Sequence, residues 1–138
     1  MSHIKILGAQ GNRSDNAFTT CIQVTKNTLI DAGNIMHALG DEALHVNNIF
    51  FSHAHLDHII DSAFLIDNFF TQRSEPLYLY GLPQTIEALK KHIFNWDIWP
   101  NFSEIHLAGC KKPAVIYKAI EFYQRYEVED GVFLTPIP

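Results

Sequence analysis

Ser52-His53-Ala54-His55-Leu56-Asp57-His58 sets three histidines and one aspartate within six consecutive positions, directly behind the apolar run Asn48-Ile-Phe-Phe-Ser52. In extended backbone, side chains two apart point to the same side, so His53 and His55 can reach one metal ion together. Asp57 and His58 fall on the turn into the next element, where the change of direction lets them serve a second ion beside the first. Imidazole nitrogen and carboxylate oxygen suit zinc, with manganese or iron as competitors. Four such groups in a fold interior would be costly to leave unpaired, and metal binding resolves that cost. The plainer reading, a surface or satisfied core histidine, is kept for the scattered His3, His37, His45, His92 and His106.

Downstream of the cluster, Ile59, Ala63, Ile66 and Phe70 recur at helical spacing, which predicts a helix from about His58 to Phe70 with Asp61, Asp67 and Asn68 away from much of its apolar face. Pro76–Tyr80 is strand-like. Gly81-Leu-Pro83 then ends it and starts a second helix whose buried stripe is Ile86, Leu89 and Ile93. Trp96-Asp-Ile-Trp-Pro100 closes that helix in a bulky loop, and Trp96, Trp99 and Phe102 are read as core or rim packing rather than a base-stacking platform. Val115-Ile116, Ala119–Tyr123 and Val132–Pro136 are expected strands.

Upstream, His3–Gly8, Phe18–Val24 and Thr28–Asp31 carry strand composition, with Gly11-Asn-Arg-Ser-Asp-Asn16 as a loop and Lys26-Asn27 as a hairpin turn. An antiparallel opening sheet follows. Ile35–Leu44 is an expected helix behind the turn residues Asp31-Ala-Gly-Asn34. Strands and helices in this mixture imply a layered α/β protein.

With 138 residues, 47% hydrophobic and 18% charged, the chain has the make-up of a single globular domain. A net charge of −5 speaks against nucleic acid as a partner, because gripping phosphates electrostatically needs a basic patch. No run approaches a membrane span, and the start lacks the apolar stretch of a secretory signal. Cys21 and Cys110 form no CxxC pattern and are read as unpaired thiols in a reducing compartment. The expected location is the cytoplasm. Gly131-Val-Phe-Leu-Thr-Pro-Ile-Pro138 reads as an apolar strand running into the terminus, so residues 1–138 are expected to be the N-terminal portion of a truncated, longer protein.

The cluster resembles the HxHxDH signature of the metallo-β-lactamase superfamily, without gap or substitution. That resemblance implies an αββα sandwich, of which this chain supplies the N-terminal part, and two divalent metal ions bridged by water. It assigns His53 and His55 to the first ion and Asp57 and His58 to the second, and makes Asp57 the candidate catalytic residue as well as a ligand. Asp31 matches a conserved aspartate that supports the site without binding the ion; from its residues alone it reads equally well as a turn or cap aspartate.

Longer stretches point further. Asp31-Ala-Gly33, Phe51–Ile59, Leu79-Tyr-Gly-Leu-Pro-Gln-Thr-Ile-Glu-Ala-Leu-Lys90, His92-Ile-Phe-Asn95, Ile98-Trp-Pro-Asn101 and Leu134-Thr-Pro-Ile-Pro138 together resemble the class II cyclic nucleotide phosphodiesterases. This implies hydrolysis of 3′,5′-cyclic nucleotides, cAMP or cGMP, to nucleoside 5′-monophosphates by a metal-bridged hydroxide. The later ligands of that family, two histidines and a bridging aspartate, have no counterpart in this sequence, and His106 is a poor substitute because its flanks do not match. The isolated chain is therefore expected to hold half a metal site and to be inactive, and its unpaired sheet face to favour a homodimer. Two alternatives stay open: an RNA-processing phosphodiesterase of the same superfamily, and a metal-binding module that never completes a catalytic site.

Overall fold

In a computed structural model of the chain, residues 3–138 are described. Met1 and Ser2, where the opening strand-like alternation begins, lie outside the described residues. A six-stranded mixed sheet runs in spatial order β1 to β6: β1 (Lys5–Gly8), β2 (Cys21–Thr25), β3 (Thr28–Ile30), β4 (Asn48–Phe50), β5 (Leu77–Gly81) and β6 (Val115–Ala119). The first three strands pair antiparallel, with Lys26-Asn27 as the turn between β2 and β3, as their composition predicts. From β3 onward the pairing is parallel, and each crossover from β3 to β6 contains a helical segment.

Leu29, Ile49 and Leu79 sit side by side across three strands, and all three are fully buried. With α2 (Leu56–Phe69) and α3 (Pro83–His92) they form one core that includes Ile59, Leu65, Ile66, Ile86 and Leu89. Phe94 and Phe102, from the loop after α3, plug its end. Trp99 is half-buried, donates its indole N–H to the Ala63 carbonyl (2.9 Å) and meets Phe64 edge-on, so it packs as expected; Trp96 is instead 57% exposed. On the opposite face Phe50 stacks on Tyr80 at 4.1 Å and approaches Tyr126 of a separate hairpin, β7 (Tyr126–Glu129) with β8 (Val132–Leu134).

Three expectations are corrected. The helix foreseen over Ile35–Leu44 is only α1 (Met36–Leu39), followed by a 3₁₀ segment Gly40–His45. Gly40 takes a positive φ of 54°, which ends α-helical geometry there. The strand foreseen over Ala119–Tyr123 stops at Ala119: Tyr123 is left-handed (φ 64°) and donates its N–H to the Pro136 carbonyl, while Ile120 and Phe122 line a cleft. Asp61, expected to face away from the core, is buried and accepts the N–H groups of Ile35 and Met36 (2.7 and 3.1 Å), so α2 supplies the cap that the start of α1 lacks. Cys21 and Cys110 are free, and burial pushes the Cys21 thiol up to about 12. Among the described residues no helix is long and apolar enough to cross a membrane.

Candidate metal centre

The cluster lies just past the carboxyl ends of the parallel strands β3 and β4. β4 ends at Phe50, the chain bends at Ser52 and is extended at His55, and Leu56 begins α2. Asp57 falls in the first turn of α2, where a carboxylate is favoured by the helix dipole. His58 donates its backbone N–H to the His55 carbonyl (2.9 Å), closing the turn that redirects the chain.

Asp31 is the buried hub. It adopts a left-handed backbone (φ 60°), uncommon for a residue with a side chain, and is 2% exposed. Strain of this kind is held in place by what the conformation allows. Here it allows three hydrogen bonds: Oδ1 accepts from Ser52 N–H (2.8 Å), and Oδ2 accepts from Ser52 Oγ (2.7 Å) and from His58 Nδ1 (2.7 Å). A carboxylate only accepts, so Nδ1 of His58 carries a proton, and in the neutral imidazole the lone pair is then on Nε2. This is the carboxylate–histidine pairing that orients metal-ligating imidazoles.

The His58 Nε2 lies 3.5 Å from Asp57 Oδ2. That is too long for a hydrogen bond. It suits two ligands of one ion, because bonds of about 2.0–2.2 Å at a tetrahedral angle leave ligand atoms roughly 3.4 Å apart. The His53 ring packs edge-on to His55 at 4.6 Å and leans on His58 at 4.1 Å between centroids. Loss of hydration, and then the charges of His58 and His55, hold the His53 imidazole below the ordinary histidine range, favouring the neutral form that can ligate.

All four sequence-predicted residues, His53, His55, Asp57 and His58, thus meet in one cluster, with Asp31 behind it. Among the described residues, no three His, Cys, Asp or Glu side chains converge on a single point; His55 meets His53, His53 meets His58, and His58 lies beside Asp57. His106 stands apart in an isolated bridge to Pro113 and is exposed. Sequence reasoning quoted Ser52 but gave it no task; its position directly before the first histidine was the only signal. Beside Ser52 opens an apolar cleft of about 220 Å³ whose walls include Ile30, Phe51, Leu82, Ile120 and Phe122.

Residues 11–128 match the family described as cAMP phosphodiesterases class-II. A probable 3′,5′-cyclic-nucleotide phosphodiesterase of Yersinia pestis is 37% identical over 59 residues, covering 43% of this chain and 16% of that protein. Ribonuclease Z of Methanococcus aeolicus is 39% identical over 88 residues, covering 59% and 26%. The chain therefore spans only a minor part of the curated relatives it matches. Unliganded yeast PDE1 superposes over 91% of this chain and 52% of its own with a TM-score of 0.72 at 18% identity. A metallo-β-lactamase fold protein of Bacillus subtilis superposes over 90% and 48% with a TM-score of 0.63 at 20% identity. The sheet and its helical layer are accordingly part of a metallo-β-lactamase fold. The chain belongs to the class-II cAMP phosphodiesterase family.

Proposed function

We propose that the whole protein is a metal-dependent phosphodiesterase that opens 3′,5′-cyclic nucleotides to nucleoside 5′-monophosphates. The observation that carries this is the match of residues 11–128 to the class-II cAMP phosphodiesterases, and the 3.5 Å spacing of Asp57 Oδ2 and His58 Nε2, with the His58 ring fixed by Asp31, supports the metal dependence. We assign His53 and His55 to a first divalent ion and Asp57 and His58 to a second, with zinc preferred by the donor set and manganese or iron as competitors. Further ligands are needed to complete two coordination shells. We assign them to parts of the protein outside these 138 residues, in keeping with the coverage of about half of yeast PDE1.

When bound, the ions supply an activated water nucleophile at neutral pH and offset charge on the phosphoryl oxygens. The chain's own groups prepare the site. Asp31 keeps the His58 Nε2 lone pair aimed forward, and Asp57 adds negative charge opposite it. In the reaction water adds across the P–O3′ bond, hydroxyl to phosphorus and proton to the 3′ oxygen. The apolar cleft beside Ser52 suits the nucleoside end of such a substrate, leaving the phosphate toward the histidines.

A second reading is supported by the similarity to ribonuclease Z, namely RNA processing on the same metal chemistry. The net charge of −5 favours the small cyclic nucleotide. The test is hydrolysis of cyclic AMP and of a tRNA precursor by the full-length protein, with metal content measured in parallel. Turnover of cyclic AMP that a chelator abolishes and zinc restores is expected. Cleavage of the tRNA precursor alone supports the second reading and sinks the first.

A further inference from the structure

Ser52 has one hydroxyl proton and two neighbours that compete for it. Its Oγ lies 2.7 Å from Asp31 Oδ2 and 2.9 Å from His53 Nδ1. Giving the proton to His53 would set lone pairs of Ser52 and Asp31 against each other at 2.7 Å, because a carboxylate has nothing to donate. The proton therefore belongs to the Asp31 bond, and Oγ must accept from His53. The backbone N–H of Ser52, held to Asp31 Oδ1 at 2.8 Å, keeps the hydroxyl in place for both bonds.

We propose that Ser52 is a positioning residue: its hydroxyl relays the buried Asp31 carboxylate to His53, locks His53 as the Nδ1–H tautomer, and thereby presents Nε2 as the ligating atom. This rests on the metal-centre reading above and deepens it. One carboxylate then orients two ligands, His58 directly and His53 through one hydroxyl. An imidazole free in water favours the other tautomer, with the proton on Nε2, so the relay sets which nitrogen faces the ion before any ion arrives.

The test reads the tautomer itself, in the metal-free full-length protein. Imidazole nitrogen shifts from long-range ¹⁵N–¹H spectra, taken at a pH of about 8, above the ordinary range of histidine, should show His53 and His58 both protonated on Nδ1. In Ser52→Ala, His53 should move to the Nε2–H form while His58 stays unchanged, and Ser52→Thr should restore His53. Zinc affinity, measured by competition with a chelator, should fall about ten- to a hundredfold in Ser52→Ala and recover in Ser52→Thr. Finding His53 protonated on Nε2 in the unaltered protein, or no tautomer change in Ser52→Ala, overturns the relay. If the tautomers behave as stated but no form takes up zinc, the metal-centre reading fails and the relay stands. Ser52 is exposed, so replacing it leaves the core intact.

Discussion

Gly33→Ala should disturb the His53–His58 cluster from behind, without touching the side chain of any proposed ligand. Residues 31–34 are threaded between two elements. On one side Ala32 N–H donates to the His58 carbonyl (2.7 Å) and Asp61 N–H to the Ala32 carbonyl (2.9 Å). On the other, Gly33 N–H donates to the Thr20 carbonyl (2.8 Å), and Thr19 Oγ1 donates to the Gly33 carbonyl (3.0 Å). A Cβ built on Gly33 would lie 2.6 Å from the Asp57 carbonyl oxygen, 2.6 Å from Thr19 Oγ1 and 2.5 Å from the Thr19 carbonyl carbon. Ordinary contact begins at 3.4 Å, so the Asp57 oxygen must retreat by about 0.8 Å (3.4 − 2.6) or the loop must break its bonds. Overpacking of this kind costs about 1–3 kcal/mol. Moving the backbone of a proposed ligand by nearly 1 Å costs on the order of a hundredfold in a reaction that depends on its position.

Urea unfolding of Gly33→Ala and its zinc affinity are the two measurements, with Gly109→Ala as control because, among the described residues, nothing lies within 4 Å of a Cβ there. The control should change stability by less than about 0.5 kcal/mol. Gly33→Ala should lose at least about 1 kcal/mol and tenfold in zinc affinity. Equal behaviour of the two variants refutes the idea that Gly33 is the wedge point between Asp57 and Thr19.

Arg73 is 4% exposed and donates to the carbonyls of Leu44, Glu75 and Pro76 and to Asn47 Oδ1; burial pulls it down to about 10, still charged at neutral pH. Arg73→Leu should orphan these acceptors and cost about 3 kcal/mol in urea unfolding, and a loss below about 1 kcal/mol would show that water replaces the guanidinium. Tyr117 carries a buried hydroxyl with no hydrogen-bond partner among the described residues, and burial pushes its phenol upward. Tyr117→Phe should therefore be neutral or stabilising by up to about 1 kcal/mol in thermal unfolding, since the ring contact with Lys90 is kept; a clear loss would mean the hydroxyl is satisfied in solution.

The histidine–aspartate cluster stood out in the sequence because its residues are contiguous and their chemistry is unlike that of a packed core. The opening antiparallel strands and α2 and α3 were legible from period and turn residues. Asp31 was visible only through family resemblance, since nothing local says that an aspartate before Ala-Gly will turn back to Ser52 and His58 across 21 and 27 residues. Asp61 misled for a related reason: a charged residue on a helix normally faces water, and only the tertiary fold brings it the unpaired N–H groups of Ile35 and Met36. Ile120 and Phe122 have strand composition but serve as cleft walls, whereas Tyr126-Glu-Val-Glu129, a true strand, is too short and too charged to stand out.

The pairing of β3 with β4 acts as a ruler. Ile30 stands opposite Phe50, the Asp31 N–H meets the Phe50 carbonyl at 2.8 Å, and two residues later Ser52 arrives within reach of the Asp31 carboxylate. Parallel strands have no tight turn to fix their alignment, so side-chain packing alone holds it. A slip of one residue would carry Ser52 about 3.3 Å along the strand and send Ser52 and His53 to the wrong sides. Such a protein would keep its helices, its strands and its circular dichroism spectrum, and it would have lost its chemistry.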